Sequence, residues 1–167
     1  MPLGTVPLSD SSTGSGVSPT ILPIDSATEP KKAQGSGFYL EAVTLEESII
    51  ADRLISYLVY VGAMEADAPP EKHSFGWLIR RWIDLVPEPI PTEYFPDLRI
   101  AVDDWRKRRN QIVHGMVKSV PGTDHGDVLN FLKEAELVAF RGCALARATC
   151  DWSRKRKRQL RKATPDL

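Results

Sequence analysis

The sequence predicts an all-α domain, an up-and-down bundle of four or five helices that follows a disordered N-terminal leader. Apolar residues recur at helical spacings of three, four and seven in four separate segments. No segment alternates apolar and polar residues in the way a half-buried strand does. The chain has 167 residues, of which 42% are hydrophobic and 26% charged, a composition typical of one globular domain with its own core. Helices of this kind bury their apolar faces against each other.

The chain divides into three parts by composition. Residues 1–37 are rich in Ser, Thr, Gly and Pro without a sustained period, which favours a disordered leader over a docking role for its short run ILPI. Residues 38–152 form the predicted bundle, and residues 153–167 form a basic tail. The charge is uneven, since Phe38 to Asp151 has 13 Lys and Arg against 18 Asp and Glu, whereas Trp152 to Leu167 has 7 against 1. Any attraction for a polyanion must therefore be local.

The first helix is predicted from about Phe38 to Gly62. Glu47 falls inside its apolar stripe, where a carboxylate is costly to bury without a partner, so an Arg or a set of donors should face it. Leu45 and Ile49 lie on the opposite side, which indicates deep burial or a subunit interface. The residues of the stripe are Leu40, Val43, Ile50, Leu54, Leu58 and Val61.

A short second helix and a proline-rich connector follow. The helix is predicted from about Phe75 to Val86, with a buried side formed by Trp77, Leu78, Trp82 and Leu85. The next ten residues, PEPIPTEYFP, contain four prolines, which remove hydrogen-bond donors and prevent a helix. We expect a structured connector that Tyr94 and Phe95 pin to the core.

The third helix is predicted to start near Pro96 or Asp97 and to contain the segment WRKRRNQIVHGMVK, from Trp105 to Lys118. Arg109 stands at the centre of its apolar stripe. A pair between Glu47 and Arg109 would solve the burial problem of both charges. On another flank, four polar residues fall within about 60° of each other and could face a cleft: Asp103, Lys107, Asn110 and His114.

The fourth helix is predicted from about Asp127 past Trp152. Its small residues, among them Gly142, would allow a close helix approach, and the basic run after Trp152 leaves no face to bury. Cys143 and Cys150 are seven residues apart on one face, which favours buried thiols in a reducing compartment over metal ligands. Because the sequence has neither a signal peptide nor an apolar run long enough for a membrane span, we expect a cytoplasmic protein.

Arg109, Asn110 and His114, followed by Gly115, resemble the RNxxxH signature of the HEPN (higher eukaryotes and prokaryotes nucleotide-binding) superfamily. The segment FYLEAVTLEESIIADRL is similar to the first long helix of HEPN proteins, and the resemblance covers Phe38 to Asp151. It implies a HEPN-like bundle and a metal-independent endoribonuclease whose motif helices from two subunits form one cleft. No cofactor is expected, because the sequence has no P-loop, zinc spacing or Gly-rich dinucleotide turn.

The resemblance also implies roles for individual residues. His114 would be the general base or acid, and Arg109 would stabilise charge on the phosphoryl oxygens. Asn110 would orient His114 or the phosphate, and Glu47 would hold Arg109. The basic residues Arg106, Lys107 and Arg108 are candidates for RNA contacts, with a solvated helix face as the favoured alternative.

The resemblance implies RNA as partner, a homodimer, and an antitoxin or a nucleotidyltransferase where the protein is a toxin or a defence protein. Some HEPN toxins are modified by the nucleotidyltransferase on a Tyr two residues after the motif His, and Met116 occupies that position here. The alternatives are a non-catalytic nucleotide- or RNA-binding or interaction module, and a purely structural bundle. The basic tail is read either as an electrostatic site for RNA or an acidic partner, or as a solubilising helix.

Arg109 and His114 conflict in direction. Five residues apart, they point about 140° away from each other on an ideal helix. Three arrangements would reconcile them: the reach of the Arg side chain, a break in the helix near Gly115, or a second subunit that supplies the complementary residue.

Overall fold

The structure, a computed structural model, describes residues 37–66, 73–117 and 125–163. The described chain contains four α-helices and no strand, which confirms the all-α prediction. Each helix starts within two residues of its predicted position. The predicted leader lies outside the described residues, except for Gly37. The helices are α1 (Tyr39–Tyr60), α2 (Phe75–Leu85), α3 (Leu98–Val117) and α4 (His125–Ala163).

Local chemistry explains the helix ends. Gly62 follows α1 with a φ of 70°, a left-handed conformation that favours glycine, and its N–H donates to the Val59 carbonyl. The Ser74 hydroxyl accepts from the Trp77 N–H at 3.2 Å and caps α2. Asp97 does the same for α3, because its Oδ1 accepts from the Arg99 N–H at 3.0 Å.

The helices α1 and α4 run parallel. Tyr39 donates to Glu136, and further along both helices Lys157 donates to Ser56. The helix α2 runs against α3, since Phe75 packs on Trp105 while Val86 at the other end accepts from Arg99. It runs parallel to α4, since Trp105 bonds to Val138 at the Phe75 end while Trp82, further along α2, packs on Trp152, further along α4. The helix α3 therefore runs against α4. The helices α1, α2 and α4 therefore share one direction, and the predicted up-and-down order is wrong.

The lengths of the connections account for this order. Residues 61–74 separate α1 from α2, and an extended chain of that length covers up to about 46 Å. The 22 residues of α1 are only about 33 Å long. The chain can thus return along α1 before α2 begins. Hydrophobic periodicity identifies each helix but carries no information on its direction.

The core lies between α1, α3 and α4, and α2 covers one end of it. Trp152 packs on Tyr57 and Trp82, with ring centroids 4.8 and 5.0 Å apart. Trp105 is fully buried, and its Nε1 donates to the Val138 carbonyl at 2.9 Å. These aromatic contacts tie α3 and α4 to the rest of the bundle.

The segment predicted as a basic tail belongs to α4, which continues to Ala163. Ser153 is only 2% exposed, Leu160 packs against the core, and Lys157 donates to Ser56 at 2.6 Å. The expectation that no face is left to bury was wrong, because one face of this segment still lies on the C-terminal end of α1. The charged end of a long Lys can reach solvent while its stem packs.

The connector after α2 is pinned differently from the prediction. Tyr94 is 70% exposed, whereas Ile90 is buried and Phe95 packs partly against the core. Leu85, predicted to be buried, is exposed, and Ile79 takes its place inside. None of the four described helices is long and apolar enough to cross a membrane.

Candidate functional site

The central contact of the candidate site joins α1 to α3. Arg109 Nη2 forms an ion pair with Glu47 Oε2, as the two apolar stripes predicted. The side chains are 23% and 18% exposed, so both charges are largely removed from water. The predicted burial of Glu47 is thus partial.

Asn110 completes the surroundings of the guanidinium. Arg109 Nη1 donates to Asn110 Oδ1 at 2.9 Å. The Nε of Arg109 is buried and makes no hydrogen bond within the described part of the chain. Two neighbours therefore fix the guanidinium, while part of its donor capacity stays unused.

Burial dominates the electrostatics of Glu47. Loss of water around the carboxylate raises its pKa above the ordinary value of 4.5, although the charge of Arg109 and its hydrogen bond act in the opposite direction. The ion pair therefore does not fully compensate the desolvation of the carboxylate. A charged pair of this kind is energetically costly to keep in place, and perturbed groups of this kind concentrate at functional sites.

His114 lies one and a half turns after Arg109 and is exposed. No described side chain hydrogen-bonds to it. The helix α3 continues to Val117, so the predicted option of a break near Gly115 is ruled out. Arg109 faces α1 while His114 faces solvent, and the conflict in direction is present in the folded chain.

Two of the three candidate RNA contacts are engaged within α3 itself. Arg106 and Lys107 pair with Asp103 at 2.9 and 2.8 Å, and Lys107 also contacts Asp104 at 3.2 Å. Partial burial works to raise the pKa of Asp103, but the hydrogen bonds from Lys107 and Arg106 outweigh it and lower the pKa. Arg108 is exposed and has no ion pair among the described residues, which leaves its charge the least committed of the three.

The sequence analysis missed Glu46, which is fully buried. A Cβ on Gly142 would overlap the Glu46 carboxylate and lie 2.8 Å from Cζ2 of Trp105, so α4 needs glycine there. The predicted stripe left out Ala42 and Tyr57, which are small or carry a polar tip. With both included, the centre of the buried face moves toward Glu46 by about 20°.

Arg99 is the second charged residue that the sequence analysis missed. It is 7% exposed and binds Asp97 Oδ2 at 2.7 Å, Asp97 Oδ1 at 3.0 Å and the Pro87 carbonyl at 2.6 Å. The hydrogen bond to Arg99 holds the pKa of Asp97 below its ordinary value, although burial opposes the shift. The spacing Asp-x-Arg at a helix start was the available signal.

Cys143 and Cys150 are free and half-buried, and burial raises the pKa of both thiols. A raised pKa makes a thiol less reactive, which fits a packing role.

Comparisons of the chain with protein-family models, curated proteins and solved structures find no match. The function is therefore argued from the site itself.

Proposed function

We propose that this chain is a HEPN-like, metal-independent endoribonuclease that acts as a homodimer. The observation that carries the proposal is the arrangement of Glu47, Arg109 and Asn110 beside an exposed His114 on one helix. A fixed guanidinium and an imidazole can together catalyse phosphodiester transfer in RNA.

The chemistry is an internal transfer. The 2′-oxygen of the ribose attacks the adjacent phosphorus, and the bond from phosphorus to the 5′-oxygen breaks. His114 either removes the proton of the 2′-hydroxyl or delivers a proton to the leaving 5′-oxygen. The products are a 2′,3′-cyclic phosphate and a 5′-hydroxyl, and no atom from outside the RNA other than protons is needed.

Arg109 stabilises the negative charge that grows on the phosphoryl oxygens, through Nη hydrogens that Glu47 and Asn110 do not use. Glu47 is a positioning residue, because it holds the guanidinium and does not touch RNA. Asn110 fixes the opposite edge of the guanidinium. Arg108 guides the RNA backbone toward the helix.

A second copy of the chain would bring the two sides of the motif together. Support for a dimer comes from the outer stripe of α4, four apolar side chains that are 46% to 61% exposed: Leu129, Leu132, Leu137 and Phe140. Neighbouring exposed apolar side chains on one helix are typical of an interface. The stripe lies on the half of α4 that is level with the C-terminal end of α3, where His114 lies.

The decisive experiment compares RNA cleavage by the wild-type protein with His114→Ala in a buffer that contains a chelator. Cleavage should disappear in the variant, while its melting temperature stays unchanged because His114 is exposed. Gln111→Ala, an exposed change on the same helix, is the matched control and should cut as the wild type does. Wild-type protein that cuts none of a broad panel of RNAs would remove the enzyme from the proposal.

A non-catalytic RNA- or nucleotide-binding module is the second candidate. One observation favours it: among the described residues no side chain orients His114, as a catalytic imidazole normally requires. The two candidates differ in the same experiment, because a binding module retains RNA without cleaving it. A toxin or defence role in the cytoplasm, with an antitoxin as partner, rests on the resemblance alone and is tested by expression with and without His114→Ala.

A further inference from the structure

A groove separates the connector from the C-terminal half of α4. Its walls are residues 85–94 on one side and α4 from Ala144 to Gln159 on the other. The cavity has a volume of about 750 Å³, within the range of ligand-binding pockets. A second depression of about 510 Å³ continues it along α4 as far as Lys162, and the two share Asp151, Lys155 and Gln159. We call the two together the connector groove.

The α4 wall of the connector groove is basic. Arg147, Lys155, Arg158 and Lys162 are exposed and follow one face of the helix over about 22 Å. The only acid among the α4 residues that line the groove is Asp151, and Arg154 pairs with it at 2.6 Å. Four exposed cations are thus left to meet an anionic ligand along a line.

The opposite wall offers flat and apolar surfaces. Tyr94 is 70% exposed, and prolines 87, 89 and 91 line the groove beside it. Glu88 and Glu93 also lie on this wall, so phosphates are favoured only on the α4 side. Cations along one wall and an aromatic ring on the other are the features that bind single-stranded nucleic acid, with phosphates on the cations and bases on the ring.

The connector groove lies far from His114. Trp105 is level with Val138, and from there His114 is nine residues away along α3 while Lys155 is seventeen residues away along α4 in the opposite direction. At the rise of an α-helix, the two lie about 39 Å apart. The groove therefore cannot share a short ligand with His114 in one chain.

We propose that the connector groove is an accessory binding site for a single RNA strand, with its phosphates along Arg147, Lys155, Arg158 and Lys162 and a base stacked on Tyr94. The choice of RNA over DNA rests on the proposed function. The groove itself is independent of His114. It holds a long RNA on the bundle about 39 Å from the proposed cleavage site, so short substrates do not use it.

The test measures binding of a fluorescent single-stranded RNA 12-mer by anisotropy, with His114→Ala present throughout so that nothing is cut. The groove variant combines Lys155→Glu, Arg158→Glu and Lys162→Glu. Its control combines Arg80→Glu, Lys133→Glu and Arg141→Glu, three exposed cations elsewhere that change the net charge by the same amount. If charge reversal unfolds the end of α4, the same positions changed to Gln replace it, with circular dichroism as the check on folding.

The groove variant should bind at least about tenfold more weakly, and the control should lose far less. With four phosphate contacts, the logarithm of the affinity should fall with the logarithm of the salt concentration at a slope of about −2.8, and the groove variant should fall toward about −0.7. Tyr94→Ala should weaken binding by about tenfold without changing this slope.

Equal losses in the two triple variants would reduce the effect to net charge and overturn the proposal. Tighter binding of poly-glutamate than of RNA would assign the groove to an acidic protein instead. The outcome is separate from that of the proposed function. If wild type cleaves RNA but the groove does not bind it, only the accessory site is contradicted. If the groove binds RNA but the protein never cleaves it, only the ribonuclease proposal is contradicted.

Discussion

Two of the carboxylate–guanidinium pairs that arginines of α3 form, Arg99 with Asp97 and Arg109 with Glu47, differ in almost every respect. Arg99 is paired with Asp97 and uses Nε and both Nη atoms, which also reach two backbone carbonyls. Arg109 reaches across to α1 for Glu47, and its Nε has no hydrogen bond among the described residues. The pKa of Asp97 is lowered and that of Glu47 is raised. The first pair is saturated, in the sense that all three guanidinium nitrogens make hydrogen bonds, and the second is not.

The difference follows from where the partners lie in the chain. Asp97 and Arg99 are two residues apart, so little chain entropy is lost when they meet, and the cap of α3 and the connector fill the remaining donors. Glu47 and Arg109 meet only when α1 and α3 pack. A saturated local pair supports the fold, whereas an unsaturated pair between helices, beside an exposed His114, is what a functional site would retain.

Arg99→Ala should produce the largest effect. It removes a buried guanidinium and leaves Asp97 Oδ2 and the carbonyls of Val86 and Pro87 without their side-chain donor. We expect a loss of about 3 to 4 kcal/mol in the free energy of unfolding, measured by urea titration. Arg80→Ala, an exposed change on α2, should cost less than about 0.5 kcal/mol. Similar losses in the two variants would show that Arg99 is not the pin of the connector.

Gly142→Ala should have the next largest effect. It disturbs the surroundings of the Glu47–Arg109 pair and leaves the Asp97–Arg99 pair intact. The added Cβ would lie 2.8 Å from Cζ2 of Trp105 and would overlap the carboxylate of Glu46, the residue before Glu47. The expected loss is about 2 kcal/mol. Gly76→Ala is the matched control, since its Cβ would meet Arg106 at 3.5 Å, an ordinary contact, and Ala is the better helix former. It should be neutral or slightly stabilising.

Glu47→Ala should destabilise the chain by about 1 to 2 kcal/mol, less than Arg99→Ala. The reason is that Arg109 keeps Asn110, is 23% exposed, and loses a carboxylate whose desolvation was already costly. Glu47→Gln should recover part of the loss, because an amide oxygen still accepts from the guanidinium. The comparison between the two pairs would collapse if Glu47→Ala cost as much as Arg99→Ala.

Much of the fold could be predicted from the sequence, because hydrophobic periodicity identifies each helix and helix-breaking residues mark its ends. Ser74 and Gly62 mark helix ends that the structure places where they were expected. The direction of the helices could not be predicted, since residues 61–74 are long enough to join α2 in either sense. The packing of α4 beyond Trp152 was missed because a Lys such as Lys157 was counted as wholly polar.

Within the candidate site, the pair of Glu47 and Arg109 could be predicted because each charge interrupts an apolar stripe, and burial demands a partner. The burial of Glu46 could not, since Ala42 and Tyr57 carry weak hydrophobic signals of their own. Arg99 was missed although the Asp-x-Arg spacing offered a signal, because two of its four side-chain hydrogen bonds go to connector carbonyls, which no residue type reveals. The proposed role of His114 involves a second copy of the chain and stays a prediction.

The smallest expected effect concerns pH: the contributions of Asp97 and Glu47 to the free energy of unfolding should change with pH in opposite directions. Because the pKa of Asp97 is lowered, its stabilisation is present above the ordinary value of 3.8 and is lost as pH falls below it. The raised pKa of Glu47 means that the folded chain binds this proton more tightly. Its contribution is therefore complete below 4.5 and is lost as pH rises above that value.

Urea titrations of wild type, Asp97→Asn and Glu47→Gln between pH 2.5 and 7 at constant ionic strength measure both effects. The advantage of wild type over Asp97→Asn should grow with pH at the acid end of the range. Its advantage over Glu47→Gln should shrink with pH above 4.5. If both differences changed in the same direction, the two pairs would be electrostatically alike, and the argument that only Glu47 and Arg109 retain an unsaturated charge for RNA would be lost.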